Sequence, residues 1–184
     1  MSSKRDQIIE TTCKLIETQG YRATGLNQIL AESGTPKGSL YHYFPDGKDG
    51  LVAAAISHTS TLIEKRLQEG MDVSPDPAVA IPEFLRNLAH YVQASDYQAG
   101  GPITAVALEA ASTNERLNAA CRDAYRAWQA VIETKLLAAG YETNRARRLA
   151  ALVIALIEGA IILCRSERHI GPLLDTATEL VQLL

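Results

Sequence analysis

Hydrophobic residues recur at intervals of three and four along most of the chain, which is the spacing of one face of an α-helix. No segment alternates between apolar and polar residues as a half-buried strand would. Glycine, proline and short polar runs divide the pattern into about nine helices, and Ser3 and Asp6 have the spacing of a capping box at the first start. The predicted helices cover residues 3–19, 25–33, 36–44, 47–70, 77–94, 103–111, 114–139, 144–168 and 173–184. We therefore predict an all-α fold.

Residues 24–44 contain two short helical patterns that meet at one tight break. The first helix should end at Gly34, because glycine readily adopts the left-handed backbone conformation that a helix C-terminus often needs. Thr24 and Thr35 are the expected N-caps of the two helices, and Pro36 suits a first helical position, where no N–H is required. This arrangement is typical of a helix-turn-helix, whose second helix enters the major groove of DNA.

The second helix of this motif is short and amphipathic. Leu40 and Phe44 are four residues apart and are expected to face inward. The remaining positions place small and hydrogen-bonding groups around the outer surface, where base edges would be read. These positions are Lys37, Gly38, Ser39, Tyr41, His42 and Tyr43.

The motif and its flanks resemble the TetR family of one-component transcriptional regulators. The resemblance covers about the first third of the chain. It rests on Gly-Tyr-Arg-Ala-Thr at 20–24, Ile-Leu-Ala at 29–31 and, above all, Gly-Thr-Pro-Lys-Gly-Ser-Leu-Tyr-His-Tyr-Phe at 34–44. Gly25 departs from the family, which usually has Ser or Thr there. The Pro-Asp-Gly-Lys-Asp segment at 45–49 is one residue longer than the usual link and is similar to the LmrA-like subgroup.

The resemblance and the helix geometry together give a set of candidate DNA contacts. Gly38 has a physical reason to belong to it, because a bare Cα lets two backbones approach closely. Lys48 belongs to it because the family commonly contacts the DNA backbone from this position, although a solvated lysine is the alternative. Candidates for base or near-base contacts are Ser39, Tyr41 and His42; candidates for phosphate contacts are Thr24, Lys37, Gly38, Tyr43 and Lys48; and Gly25, Thr35 and Pro36 complete the predicted interface.

The eighth predicted helix is apolar around most of its circumference and must therefore be covered on nearly all sides. A symmetric partner could cover one side, so we predict a two-fold homodimer through a four-helix bundle of the last two helices of each chain, as the resemblance also implies. A central helix in a monomer is the alternative. The predicted domains are a three-helix DNA-binding domain at 1–47 and a helical ligand-binding and dimerisation bundle at 48–184.

The net charge of −3 and the pI of about 5.8 count mildly against nucleic-acid binding. The charge need only be local, however, and six lysine and arginine side chains precede residue 50, with acidic residues between them. We expect a modest non-specific DNA affinity that falls steeply with salt.

Nothing in the sequence indicates export or membrane insertion. The polar N-terminus lacks the apolar core of a signal peptide, and the most apolar run, residues 149–164, is shorter than the ~20 residues of a membrane span and is interrupted by Glu158. Three widely separated cysteines suggest buried thiols in a reducing cytoplasm, with a redox switch through Cys121 or Cys164 as the alternative. We therefore expect a cytoplasmic protein.

The larger part of the chain shows no catalytic pattern. It has no nucleophile elbow, glycine-rich phosphate loop, HExxH motif or paired carboxylates, and its histidines lack ligand spacing. We therefore expect no enzymatic activity and no bound metal or cofactor.

Scattered aromatic and polar residues in the predicted bundle suit a pocket with few polar anchors, although each could instead belong to the core. By resemblance, a small hydrophobic or aromatic effector would bind there and favour a dimer state whose recognition helices are wrongly spaced. The candidates are Phe84, Leu88, Tyr91, Thr104, Glu109, Tyr125 and Trp128. The predicted function is a repressor that binds palindromic operator DNA as a dimer and is released by the effector. The alternatives are a transcriptional activator and a helical interaction module that does not bind DNA.

Overall fold

The computed structural model describes residues 3–184, and over that range the regular structure is entirely helical. The predicted all-α fold is thus confirmed, and the helix ends agree with the predicted ones to within about two residues. The helices are α1 Lys4–Gln19, α2 Leu26–Ser33, α3 Lys37–Tyr43, α4 Gly47–Met71, α5 Pro77–Ala94, α6 Pro102–Glu109, α7 Glu115–Ala138, α8 Thr143–Glu167 and α9 Gly171–Leu183.

The first helix begins with the predicted capping box. The Ser3 hydroxyl accepts the Asp6 N–H at 3.1 Å, and the Ser3 N–H donates to the Asp6 carboxylate at 3.3 Å. The hydrogen bonds from Ser3 also lower the pKa of the Asp6 carboxyl. The predicted break between α2 and α3 is confirmed as well, since Gly34 has the left-handed φ of 63°.

Two predicted N-caps are wrong. The N-cap of α2 is Gly25, which makes no side-chain hydrogen bond, because the Thr24 hydroxyl turns back and donates to the Gly20 carbonyl at 2.7 Å. The N-cap of α3 is Pro36, because the Thr35 hydroxyl lies 2.5 Å from that of Ser33 instead of capping the helix. In both cases a nearby hydrogen-bonding group engages the threonine hydroxyl instead.

The chain forms two compact units that differ from the predicted domain ranges. The first contains the residues up to Thr61 together with Pro102–Ala124, and the second contains Leu62–Gly101 and Tyr125–Leu184. In the first unit α1 packs on α2, α3 and α6, and in the second α5 and α8 pack on α9. Helix α6 and the start of α7 therefore belong to the same unit as the helix-turn-helix. The functional division at residue 47 stays a prediction.

The core of the first unit holds α3 in place. Leu40 is fully buried and Phe44 is 4% exposed, which confirms that they face inward. They pack with apolar residues of α1, α2 and α4: Ile8, Ile9, Leu15, Ile29, Leu51 and Ala55. Two inward anchors four residues apart fix the rotation of α3 about its axis, so its other residues face outward.

Candidate nucleic-acid interface

The outer surface of α3 presents polar and aromatic groups to solvent. Tyr41 is 49% exposed and Tyr43 is 37% exposed, and His42 between them is also exposed. The His42 and Tyr43 rings meet edge to face, with centroids 5.0 Å apart. Ser39 is half-buried on the same helix, and Lys37 is exposed in its first turn. These groups supply hydrogen-bond donors, acceptors and a positive charge on one short helix, as base and phosphate contacts require.

Two glycines of the motif have no internal packing reason to be glycine. A Cβ added at Gly38 or at Gly25 would meet no heavy atom within 4 Å, and neither residue has a left-handed φ. Gly38 is exposed in the first turn of α3, and Gly25 is the exposed N-cap of α2. The free space at Gly38 agrees with a requirement for close approach from outside the chain.

The two threonines beside the motif are less accessible to DNA than the sequence suggested. Thr24 is fully buried and Thr35 is 7% exposed, and the hydroxyl of each is engaged within the chain. A phosphate contact through the Thr24 hydroxyl is therefore not available in this conformation. Pro36 is exposed, so it remains at the outer surface beside α3.

Lys48 is half-buried and contacts Tyr21 of the same unit. Its ammonium group donates to the Tyr21 carbonyl oxygen at 2.7 Å and lies 4.1 Å from the centroid of the Tyr21 ring. Burial lowers the pKa of Lys48. Burial and the neighbouring Asp49 carboxylate, which accepts from the Tyr21 hydroxyl at 3.2 Å, raise the pKa of Tyr21. The predicted phosphate contact of Lys48 would require it to leave Tyr21.

Glu109, a candidate effector contact, lies against the loop that leads into the helix-turn-helix. Its carboxylate accepts the Arg22 N–H at 2.8 Å and the Tyr21 N–H at 3.3 Å. Its own carbonyl oxygen accepts from the Arg22 guanidinium at 3.3 Å. Sequence reasoning missed this contact, and no local signal could have found it, because the partners are 87 and 88 residues apart.

Two further polar contacts join the α6–α7 connection to the start of α4 within the same unit. The Asn114 amide donates to Asp49 at 2.7 Å, and Arg116 pairs with Asp46 at 2.6 Å. The Arg116–Asp46 pair is about half exposed, so it contributes little stability by itself.

The aromatic effector candidates lie mainly in the second unit. The Tyr125 and Trp128 rings meet edge to face at 5.3 Å, and Trp128 is 4% exposed. Tyr91 is 45% exposed, and the Arg66 guanidinium lies 5.1 Å from the centroid of its ring. Leu88 is half-buried. These positions allow both the pocket and the core interpretation.

Phe84 occupies space that a side chain at position 70 would fill. A Cβ added at Gly70 would lie 2.6 Å from the Phe84 ring, so glycine permits the ring to pack against α4. Thr104 is half-buried on α6 in the first unit. An apolar cavity in that unit is lined by Cys13, Ile16, Ala55, Ile56, Thr59, Ile103 and Val106 and includes none of the effector candidates.

Helix α8 keeps an apolar surface that its own chain does not cover. Leu152 is 41% exposed, Ile162 49% and Leu163 51%. By length and composition α8 could cross a membrane, and 44% of its most apolar window is buried, but a core helix of a soluble protein passes the same test. The apolar run at 149–164, which by itself is too short for a membrane span, lies within a longer helix of 25 residues.

An exposed helix-turn-helix on an otherwise helical chain defines a class of DNA-binding transcriptional regulators. Residues 8–55 match the family model described as bacterial regulatory proteins, tetR family, and residues 77–179 match the transcriptional regulator LmrA/YxaF-like C-terminal domain. The chain belongs to the TetR family of transcriptional regulators, with an LmrA/YxaF-like C-terminal domain.

Similar proteins extend over nearly the whole chain. The uncharacterized HTH-type transcriptional regulator YxaF of Bacillus subtilis is 39% identical over 96% of this chain and 92% of its own length. The HTH-type transcriptional regulator LmrA of the same organism is 37% identical over 98% of this chain and 96% of its own. The crystal structure of a TetR transcriptional regulator from Legionella pneumophila covers 100% of this chain and 98% of its own, with a TM-score of 0.87 at 20% identity, which supports the fold.

Proposed function

We propose that the protein is a cytoplasmic repressor that binds palindromic operator DNA as a homodimer and leaves it when a small hydrophobic or aromatic molecule binds. The observation that carries the proposal is the orientation of α3. Leu40 and Phe44 anchor its inner side, and Tyr41 and His42 project from its outer side. A helix that is fixed in rotation and exposes hydrogen-bonding side chains is suited to the major groove.

The proposed contacts divide by chemistry. Ser39, Tyr41 and His42 carry donors and acceptors that can meet base edges. Lys37 and Tyr43 lie on the same exposed helix and are suited to phosphate oxygens, and the bare backbone at Gly38 permits close approach. The phosphate contacts position α3, whereas the base contacts select the sequence.

Dimerisation is supported by the uncovered surface of α8 and α9. Exposed Leu152, Gly159, Ile162 and Leu163 follow a helical spacing along one side of α8, and Val181 on α9 is 42% exposed. Exposed apolar residues grouped on one side of a helix favour an interaction site. A second copy would cover it in a four-helix bundle, and two α3 helices about one DNA turn (~34–36 Å) apart would then read a palindrome.

The effector proposal rests on the second unit. Tyr125, Trp128, Phe84 and Leu88 offer aromatic and aliphatic surface, which favours a largely apolar ligand with few polar contacts. Such a ligand releases DNA only if it binds the non-binding dimer state more tightly, by as much as the shift that it causes.

DNA binding is tested by fluorescence anisotropy with labelled fragments from the region flanking the gene, in a salt series with competitor DNA. Tyr41→Ala should weaken operator binding by roughly 1 kcal/mol or more, about fivefold, without unfolding the protein. Val73→Ala is the control, because Val73 is 59% exposed and lies outside both the motif and the effector candidates. Unchanged affinity for Tyr41→Ala, or absence of any sequence-preferring fragment for the wild type, would reject the proposal.

A further inference from the structure

We infer that Glu109, at the C-terminal end of α6, is a positioning residue for DNA binding, because its carboxylate fixes the loop that leads into α2. The inference rests on the proposed DNA binding. It concerns a residue that the sequence suggested for another role and that lies outside the helix-turn-helix itself.

The first argument is the pairing of backbone groups. The loop between α1 and α2 presents the N–H groups of Tyr21 and Arg22, and both donate to Glu109, at 3.3 Å and 2.8 Å. A carboxylate that accepts two backbone N–H groups forms charge-assisted hydrogen bonds and holds both peptide planes in one orientation. The backbone conformation of this loop therefore depends on the α6 side chain.

The second argument is the space that Gly20 leaves. Gly20 has a φ of 84°, and a Cβ built on it would lie 2.4 Å from the Glu109 carboxylate oxygen. Any larger residue would push the carboxylate away as well as strain the backbone. Glycine at this position is thus required twice, once for the helix end and once to admit Glu109.

The third argument is the location of the charge. Glu109 is the last residue of α6, where the partial negative charge of the helix end disfavours a carboxylate. Helix α6 therefore does not stabilise the negative charge of Glu109. The N–H groups of Tyr21 and Arg22 stabilise it instead. The Arg22 guanidinium, which donates to the Glu109 carbonyl at 3.3 Å, offsets the charge further.

The consequence for DNA binding follows from what the loop adjoins. It ends at Gly25, the N-cap of α2, and the Tyr21 carbonyl in the same loop holds Lys48 at the start of α4. Helices α2 and α4 precede and follow α3, so a loosened loop would relax the elements on both sides of the recognition helix. A base contact that depends on the placement of Tyr41 or His42 would then weaken.

Glu109→Gln tests the inference because the loss of a hydrogen bond and the loss of a negative charge should change the operator affinity in opposite directions. The variant removes one negative charge, which by itself should strengthen binding to the DNA polyanion. A glutamine amide has only one accepting oxygen, so it cannot receive the two N–H groups on separate oxygens as the Glu109 carboxylate does. If Glu109 positions the loop, operator affinity should fall by about fivefold or more.

Glu115→Gln is the matched control for charge. Glu115 is exposed in the first turn of α7, and its replacement makes the same charge change. It should leave operator affinity unchanged or slightly higher. Amide hydrogen exchange should become faster at residues 21 and 22 in Glu109→Gln, and the operator should lose more affinity than a non-operator fragment does.

Lys135→Met is the control for stability. The Lys135 ammonium donates to the carbonyl oxygens of Met71 and Ser74 in the second unit, so its loss removes a comparable pair of hydrogen bonds elsewhere. It should lower the melting temperature without lowering the operator affinity of the folded protein. If Glu109→Gln binds the operator as tightly as the wild type, the inference is wrong. If the wild type prefers no fragment, the proposed function itself fails.

Discussion

The ammonium group of Lys48 donates to the Tyr21 carbonyl oxygen at 2.7 Å and lies over the Tyr21 ring, 4.1 Å from its centroid. Tyr21 belongs to the α1–α2 loop, and Lys48 is the second residue of α4. One cation therefore connects the two segments that flank the helix-turn-helix in sequence. A lysine at this position can stabilise the motif without touching DNA.

Lys48→Met removes the charge and keeps much of the side-chain length. We expect the free energy of unfolding to fall by about 1–2 kcal/mol, because a charged hydrogen bond and a cation–π contact are lost. Urea denaturation measures the change. The salt dependence of operator binding should stay as in the wild type, because the ammonium group lies on Tyr21.

Lys37→Met is the counterpart on the exposed surface of α3. It should leave the stability unchanged and reduce the slope of log affinity against log salt by about 1.8, the value for one phosphate contact from each protomer of the dimer. A slope reduction of the same size for Lys48→Met would mean that Lys48 leaves Tyr21 for a phosphate in the complex.

Gly38→Ala should change the stability of the protein and its operator affinity in opposite directions. The added methyl group meets no atom of the chain within 4 Å, and alanine favours the helix, so stability should rise by roughly 0.5–1 kcal/mol. Operator affinity should fall, because the methyl group stands where the DNA backbone would approach. Thermal unfolding and fluorescence anisotropy measure the two effects. Tight binding by this variant would show that close approach at Gly38 is not needed.

Gly159→Arg tests the proposed dimer. A Cβ added at Gly159 would meet no atom of its own chain within 4 Å, and this position lies among the exposed apolar residues of α8. Sedimentation should give a mass near 19.9 kDa for the variant and about twice that for the wild type. Ala139→Arg, exposed just after the end of α7, should sediment like the wild type. A wild-type monomer at micromolar concentration would reject the dimer.

The cysteines should react slowly in the folded protein. Burial raises the pKa of the Cys121 thiol to about 11 and also raises the pKa of Cys13 and Cys164. The thiolate is the reactive form, and only about one in 10⁴ Cys121 side chains would be ionised at pH 7. Labelling with a disulfide reagent should be slow at pH 7, faster as the pH rises, and rapid in denaturant. Rapid labelling of native Cys121 or Cys164 at pH 7 would favour the redox switch.

Local signals explain what could be predicted from the sequence. The capping box at Ser3, the left-handed turn at Gly34 and the inward side of Leu40 and Phe44 each depend on residues within a few positions of one another. Apolar periodicity fixes which side of α3 is buried, and the exposure of Tyr41 follows from it. The helix-turn-helix can therefore be recognised from residues 24–44 alone.

Competition and distance explain what could not be predicted. The Thr24 hydroxyl could accept a backbone N–H at the start of α2 or donate to the Gly20 carbonyl, and sequence spacing does not decide between two partners of similar reach. Glu109 and Arg22 are 87 residues apart, so only the folded chain reveals their hydrogen bond. A glutamate in an apolar helix therefore suggested a ligand contact, although its carboxylate meets backbone N–H groups.

The first compact unit is assembled from two separate stretches of chain, with Pro102–Ala124 packed beside the N-terminal helices. Cutting the gene after the helix-turn-helix would deprive Tyr21 and Arg22 of their acceptor, although every residue of the motif would be kept. If the helix-turn-helix segment is fused to another regulator, the fusion should therefore include α6, or the recipient protein should have a glutamate at the position that corresponds to Glu109. In this protein the loop before the helix-turn-helix thus depends on a carboxylate that a transplanted N-terminal segment would leave behind.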